Sequence, residues 1–132
     1  MSHLMKWLVI DVTTGTEGAG VATGTTATPA SVRGLVHAVY VDKHASAPAT
    51  TDVTLRTKGV TGGAPSYTIW TQSNSAADTN AFPAVGPVTT ANAAITDAHR
   101  PVPVCDVLEA VVAQANDSQA FRFMVLVEEM SG

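Results

Sequence analysis

Charge is scarce in this sequence. Lys, Arg, Asp and Glu make up only 14% of the 132 residues, against roughly 25% in an ordinary globular domain. The seven basic residues are scattered and outnumbered by eleven acidic ones, so there is no basic cluster to neutralise a row of phosphates, and nucleic acid is not expected as a partner. A single cysteine, Cys105, excludes an internal disulfide. Lying in an apolar run, it reads as a small buried side chain compatible with a reducing cytoplasm. No stretch approaches the roughly eighteen uninterrupted apolar residues of a membrane-spanning helix, and the N-terminus lacks the long apolar run and small-residue cleavage site of a secretion signal. A soluble protein without membrane contact is expected.

Catalytic signatures are missing as well. There is no Gly-x-Ser-x-Gly elbow, no glycine-rich phosphate loop ahead of a helix, and no carboxylate pair framed by aromatics. Gly15-Thr16-Glu17-Gly18-Ala19-Gly20 lacks the dinucleotide-binding spacing, and no helical pattern follows it. Cys105 has no adjacent histidine or cation to activate it. An enzyme is therefore not expected.

What is abundant is β-forming material. The chain is 45% hydrophobic, with ten Gly and seven Pro; its many Val and Thr favour strands, and its breakers come too often for long helices. The fold predicted is all-β: an antiparallel β-sandwich, in outline compatible with a jelly roll, of about seven or eight short strands with long Thr/Gly/Ala-rich loops. Residues 1–5 read as a tag remnant or disordered start, and residues 6–132 as one domain.

Along the chain, Lys6 to Val12 reads as a first strand, with Leu8, Ile10 and Val12 on one face and Trp7, Val9 and Asp11 on the other. Thr13 to Pro29 has so little to bury that it reads as a long exposed loop or arm, either one that orders only against a neighbour or an ordinary mobile loop. Ser31 to Asp42 is the longest strand candidate, and Gly34 marks a bulge or a close backbone approach. Thr51 to Thr57 turns Val53 and Leu55 inward. Tyr67 to Gln72 is another strand, placing Trp70 opposite Tyr67 and Ile69. Ser73 to Gly86 reads as a second polar loop, Pro87 to Thr90 as a short extended piece, and Ala91 to Thr96 as a helical turn or irregular. Pro101 and Pro103 place their segment at an edge or outside a ladder.

The stretch that organises the rest is Val107 to Val127. Two apolar runs flank Ala115-Asn116-Asp117-Ser118, a turn signal that predicts a hairpin. Leu108, Ala110 and Val112 then share a core face with Phe121, Phe123 and Val125. The other face carries Val107, Glu109 and Val111 beside Arg122, Met124 and Leu126, with Glu109 diagonal to Arg122 as a charge pair. Glu128, Glu129 and the tail after them end in solvent.

Two Asp-x-His pairs, Asp42 with His44 and Asp97 with His99, each offer a carboxylate and an imidazole on one side of an extended backbone. Without a third clustered ligand they read as loop-edge polar residues, so no metal or other cofactor is expected. His37, between apolar neighbours, reads as a hydrogen-bonded sheet histidine. The informative residues are the large apolar ones on faces that should be wet: Trp7, Trp70, Met124 and Leu126. They are the predicted protein interface, and self-association as a dimer or trimer is the simplest way to cover them.

Gly34-Leu35-Val36-His37-Ala38-Val39-Tyr40-Val41-Asp42, the small-residue connection Ala45 to Ala49, Thr51 to Leu55, and the closing Val111-Val112 and Phe121 to Glu128 runs together give a layout that resembles the small β-sandwich or jelly-roll decoration (cement) proteins of tailed bacteriophage heads. The resemblance implies a homo-oligomer on the capsid surface of the virion, assembled in the host cytoplasm and clamping subunits of the major capsid protein. A tail or head-fibre component is the alternative within the virion. A carbohydrate-binding sandwich using Tyr67 and Trp70 is the alternative outside it.

Overall fold

The computed structural model describes residues 2–85 and 100–131. Among them ten strands form: β1 (Ser2–Thr13), β2 (Ala22–Ala27), β3 (Val32–Asp42), β4 (Asp52–Thr57), β5 (Thr68–Gln72), β6 (Thr79–Ala81), β7 (Ala84–Val85), β8 (Arg100–Asp106), β9 (Leu108–Ala115) and β10 (Ala120–Ser131). The larger sheet runs β1-β10-β3-β8-β7, with β6 also paired to β3, and the smaller runs β2-β9-β4-β5. All pairings are antiparallel. The two sheets pack face to face as a β-sandwich, as the composition predicts.

The core follows from period-two alternation. The larger sheet contributes Ile10, Val12, Val36, Val39, Val41, Val102, Val104, Phe121, Phe123, Val125 and Val127; the smaller contributes Val53, Leu55, Ile69, Leu108, Ala110 and Val112. Each row of the larger sheet continues across strands, since Ile10 lies opposite Phe123 and Phe123 opposite Val41.

The predicted β9–β10 hairpin is not formed. β9 belongs to the smaller sheet and β10 to the larger, so Asn116 to Gln119 carry the chain from one layer to the other. The two apolar runs do share the core, but they meet across the sandwich instead of side by side. Glu109 and Arg122 consequently never pair. Arg56 in β4 takes Glu109, with Nη2 2.6 Å from Oε1, while Arg122 takes Asp11.

Several loops also carry more structure than their composition suggests. Thr13 to Pro29 contains β2 and is ordered by its own chain: Gly18 N–H donates to Asp117 Oδ1 at 2.7 Å, Gly20 N–H to Asn116 Oδ1 at 2.9 Å, and Thr23 N–H to Glu17 Oε1 at 2.8 Å. Polar side chains here supply the partners that apolar contacts do not. Ser73 to Gly86 likewise includes β6 and β7. Ser2 to Met5 continue β1 opposite Glu128 to Ser131. Glu129 meets Lys6 at 2.7 Å and Glu128 meets His37 at 3.0 Å, so β10 stays in the sheet where a solvated end was predicted. The segment with Pro101 and Pro103 joins the ladder as β8, paired to β3 on one side and over two residues to β7 on the other. Cys105 is exposed; its β8 neighbours Val104 and Asp106 take the inward positions. The pieces Pro87 to Thr90 and Ala91 to Thr96 lie outside the described residues.

Candidate functional site

The outer faces of the two sheets differ. That of the smaller sheet is polar and internally satisfied: Thr54 Oγ1 lies 2.9 Å from Thr71 Oγ1, and the Arg56–Glu109 pair spans β4 and β9. The larger sheet presents rows of apolar side chains. Trp7, Leu126 and Ala38 lie opposite one another across β1, β10 and β3, and Val9, Met124 and Tyr40 form the next row. Trp7 is 49% and Val9 52% exposed, while Met124 and Leu126 are half-buried between the strands that flank them. Monomeric proteins seldom leave so contiguous an apolar surface in water.

Charges bound the patch at both ends. Beyond the Val9 row lies Asp11–Arg122–Asp42, in which Arg122 Nε donates to Asp11 Oδ1 at 2.8 Å and Nη2 to Oδ2 at 3.2 Å. This forked bond lowers the Asp11 carboxyl and raises the Arg122 guanidinium. Beyond the Trp7 row, β3 bulges at His37, the residue between Val36 and Ala38 that has no partner of its own in β10. The extra residue swings the imidazole onto the outer face, where Nε2 sits 3.0 Å from Glu128 Oε1. An apolar centre with a charged rim is the anatomy of a protein contact surface.

Three of the four predicted interface residues, Trp7, Met124 and Leu126, therefore fall together. Trp70 does not join them. It lies opposite Leu55 in the smaller sheet and packs partly buried against the core, because a bulge between Leu55 and Arg56 shifts the register of β5. Val9 and Tyr40 belong to the patch, and the alternation of β1 and β3 is the signal that marks them. Tyr67, the other aromatic of the alternative sugar platform, directs its hydroxyl to the Pro103 carbonyl.

A depression of about 360 Å³ at the charged end is lined by Asp11, Asp42, Lys43, Phe121 and Arg122 among others. Its cations are already engaged: Arg122 is held by Asp11, and Lys43 Nζ donates to Gln72 Oε1 at 2.8 Å and to the Ser75 carbonyl at 3.0 Å. Burial pushes the Lys43 ammonium down while Asp78 opposes that shift. Asp42 is exposed beside Arg122, and His44 Nδ1 instead accepts the Ser46 N–H at 3.1 Å. Asp97 and His99 lie outside the described residues. Among the described residues no group of three or more His, Cys, Asp or Glu is placed to hold a metal.

No family model matches the chain, and neither the curated proteins nor the solved structures contain a significant match to it.

Proposed function

We propose that this protein is a structural component of a virion: a decoration or cement protein that binds the outer surface of the major capsid protein shell and stabilises it, using the outer face of the larger sheet. The observation that carries the proposal is the exposure of Trp7 and Val9 at the ends of two outer-face rows that continue through the half-buried Leu126, Met124 and Tyr40, taken with the resemblance of the sequence layout to phage decoration proteins. Strand order adds support. With β6 and β7 set aside, the sheets read β1-β10-β3-β8 and β2-β9-β4-β5, an interleaving compatible with a jelly roll, an architecture recurrent in capsid and lectin domains. A lectin-like role is the weaker reading because Trp70, one of the two aromatics its platform needs, packs against the core. On a lattice of many copies a modest contact at each suffices, since each bound copy reinforces the same shell.

The test is addition of purified protein to capsids lacking it, measuring the bound fraction and capsid resistance to heat and low salt. Binding with a rise in the capsid melting temperature is expected. Met124→Glu is expected to weaken binding by roughly tenfold or more while the protein stays folded, as for a residue at the centre of an interface. No binding and no gain in capsid stability would remove the proposal.

A further inference from the structure

β1 is an edge strand of unusual openness. Its register with β10 is unbroken from Ser2↔Ser131 to Thr13↔Ala120, and it contains neither proline nor a bulge. Among the described residues no strand pairs with its other side. Its C-terminal end is shut, where Gly15 N–H donates to the Thr23 carbonyl at 2.8 Å and Gly24 packs on the backbone of Thr13. From Leu4 to Val9 no described strand pairs with the edge, and Leu4, Met5, Trp7 and Val9 are all exposed; Thr28 to Val32 lie beside Lys6, Leu8 and Val9 around a shallow pocket. Natural proteins guard such edges with charge, proline, bulges or a covering loop. Here both described charges of the strand, Lys6 and Asp11, are paired at the surface with Glu129 and Arg122 of β10.

We infer that the β1 edge is a homodimer interface, in which two copies pair β1 antiparallel to β1 about a two-fold axis at Trp7 and join their larger sheets into one. A second copy is the occupant because the strand is complementary to itself in this register and in no neighbouring one. Directly opposite residues of an antiparallel pair share a face. An axis at Trp7 sets Trp7 against Trp7 and Met5 against Val9 on the outer face, with His3 facing Asp11 at each end of the pairing. Moving the axis to Leu8 sets Met5 against Asp11, moving it to Val9 sets Trp7 against Asp11, and moving it to Lys6 sets two ammonium groups together. With Lys6 and Asp11 neutralised within each chain, two acidic copies meet along this edge without opposing unpaired charges. The pairing also makes the two apolar outer patches continuous, doubling the surface available for docking. The inference stands without the capsid reading: a dimer that ignores capsids sinks only that reading, and a capsid-binding monomer sinks only this one.

Sedimentation and an engineered cross-link test it. The purified chain is expected to sediment as a dimer, and Val9→Lys to raise the dimer dissociation constant roughly tenfold by placing a cation against Met5 at both symmetric positions, with the thermal unfolding midpoint of the monomer retained. In a Cys105→Ser background, Trp7→Cys is expected to form an inter-copy disulfide on mild oxidation. Val9→Cys is expected not to, because four residues of strand, roughly 13 Å, separate the two sulfurs. A monomer at hundreds of micromolar, a trimer, a dimer indifferent to Val9→Lys, or equal cross-linking by the two cysteine variants overturns the inference.

Discussion

Asp106 shows how one side chain organises a loop that has no strand to lean on. Buried at the end of β8, its carboxylate accepts backbone N–H groups from Gly59, from Val60 at 3.2 Å, from Thr61 at 3.1 Å and from Val107 at 2.8 Å. Burial by itself raises the carboxyl, but the bonds from Gly59, Val107, Val60 and Thr61 outweigh it and hold it at about 2, below the roughly 3.9 of an unfolded chain. A carboxyl depressed in this way stabilises the fold above its unfolded value and loses that contribution as pH falls through the folded one. The urea midpoint of the protein is therefore expected to drop between pH 4 and pH 2. Asp106→Asn should be less stable at neutral pH and show a shallower acid dependence; an identical acid slope in the two proteins would count against this account. Nothing in the local sequence marks Asp106, because three of its four partners arrive from about 46 residues upstream. Cys105 beside it is a similar case: an apolar run suggests burial, but the strand's alternation points that position outward.

At the scale of single elements, β3 and β10 carry the most information. Gly34 sits at φ +153°, and a Cβ there would overlap the carbonyl oxygen of Glu128, so the glycine is what lets the two backbones approach. The sequence signals this close approach, whereas the bulge that accompanies it falls three residues later at His37. Gly34→Ala is expected to destabilise the protein by about 2 kcal/mol or more, measured by chemical denaturation, because both the backbone conformation and the neighbouring main chain resist a side chain. A change under half a kcal/mol would show that β10 moves freely. The β9–β10 connection teaches a different lesson. Asn116 and Asp117 do mark a change of direction, yet they spend their side chains on Gly20 and Gly18. Gln119 completes the corner: Oε1 accepts the Asn116 N–H at 3.0 Å and Nε2 donates to the Ser46 carbonyl at 2.9 Å. A short loop of this composition serves a hairpin or a crossing between layers equally well, and only those distant partners decide.

For the whole molecule, the asymmetry between inner and outer faces of the larger sheet is the feature on which the proposed contact surface rests. Phe123 and Met124 are adjacent in β10 and comparable in size, yet one is sealed in the core and the other belongs to the outer patch. Phe123→Ala is expected to cost about 3–5 kcal/mol of stability, and Met124→Ala about 1 kcal/mol or less, by denaturant titration. Equal losses would place Met124 in the core and dissolve the proposed contact surface. The sequence by itself determined the all-β class, the inward residues of β1, β4, β9 and β10, and the surplus of apolar groups, since these depend on a two-residue alternation carried along each strand. Only the tertiary structure decided that β10 pairs with β1 and β3 and not with β9, that Arg56 and not Arg122 meets Glu109, and that Trp70 leaves the patch formed by Trp7, Met124 and Leu126. Strand partnership and register are non-local: they are set by how whole apolar faces close over one another, and no window of sequence contains both sides of that contact.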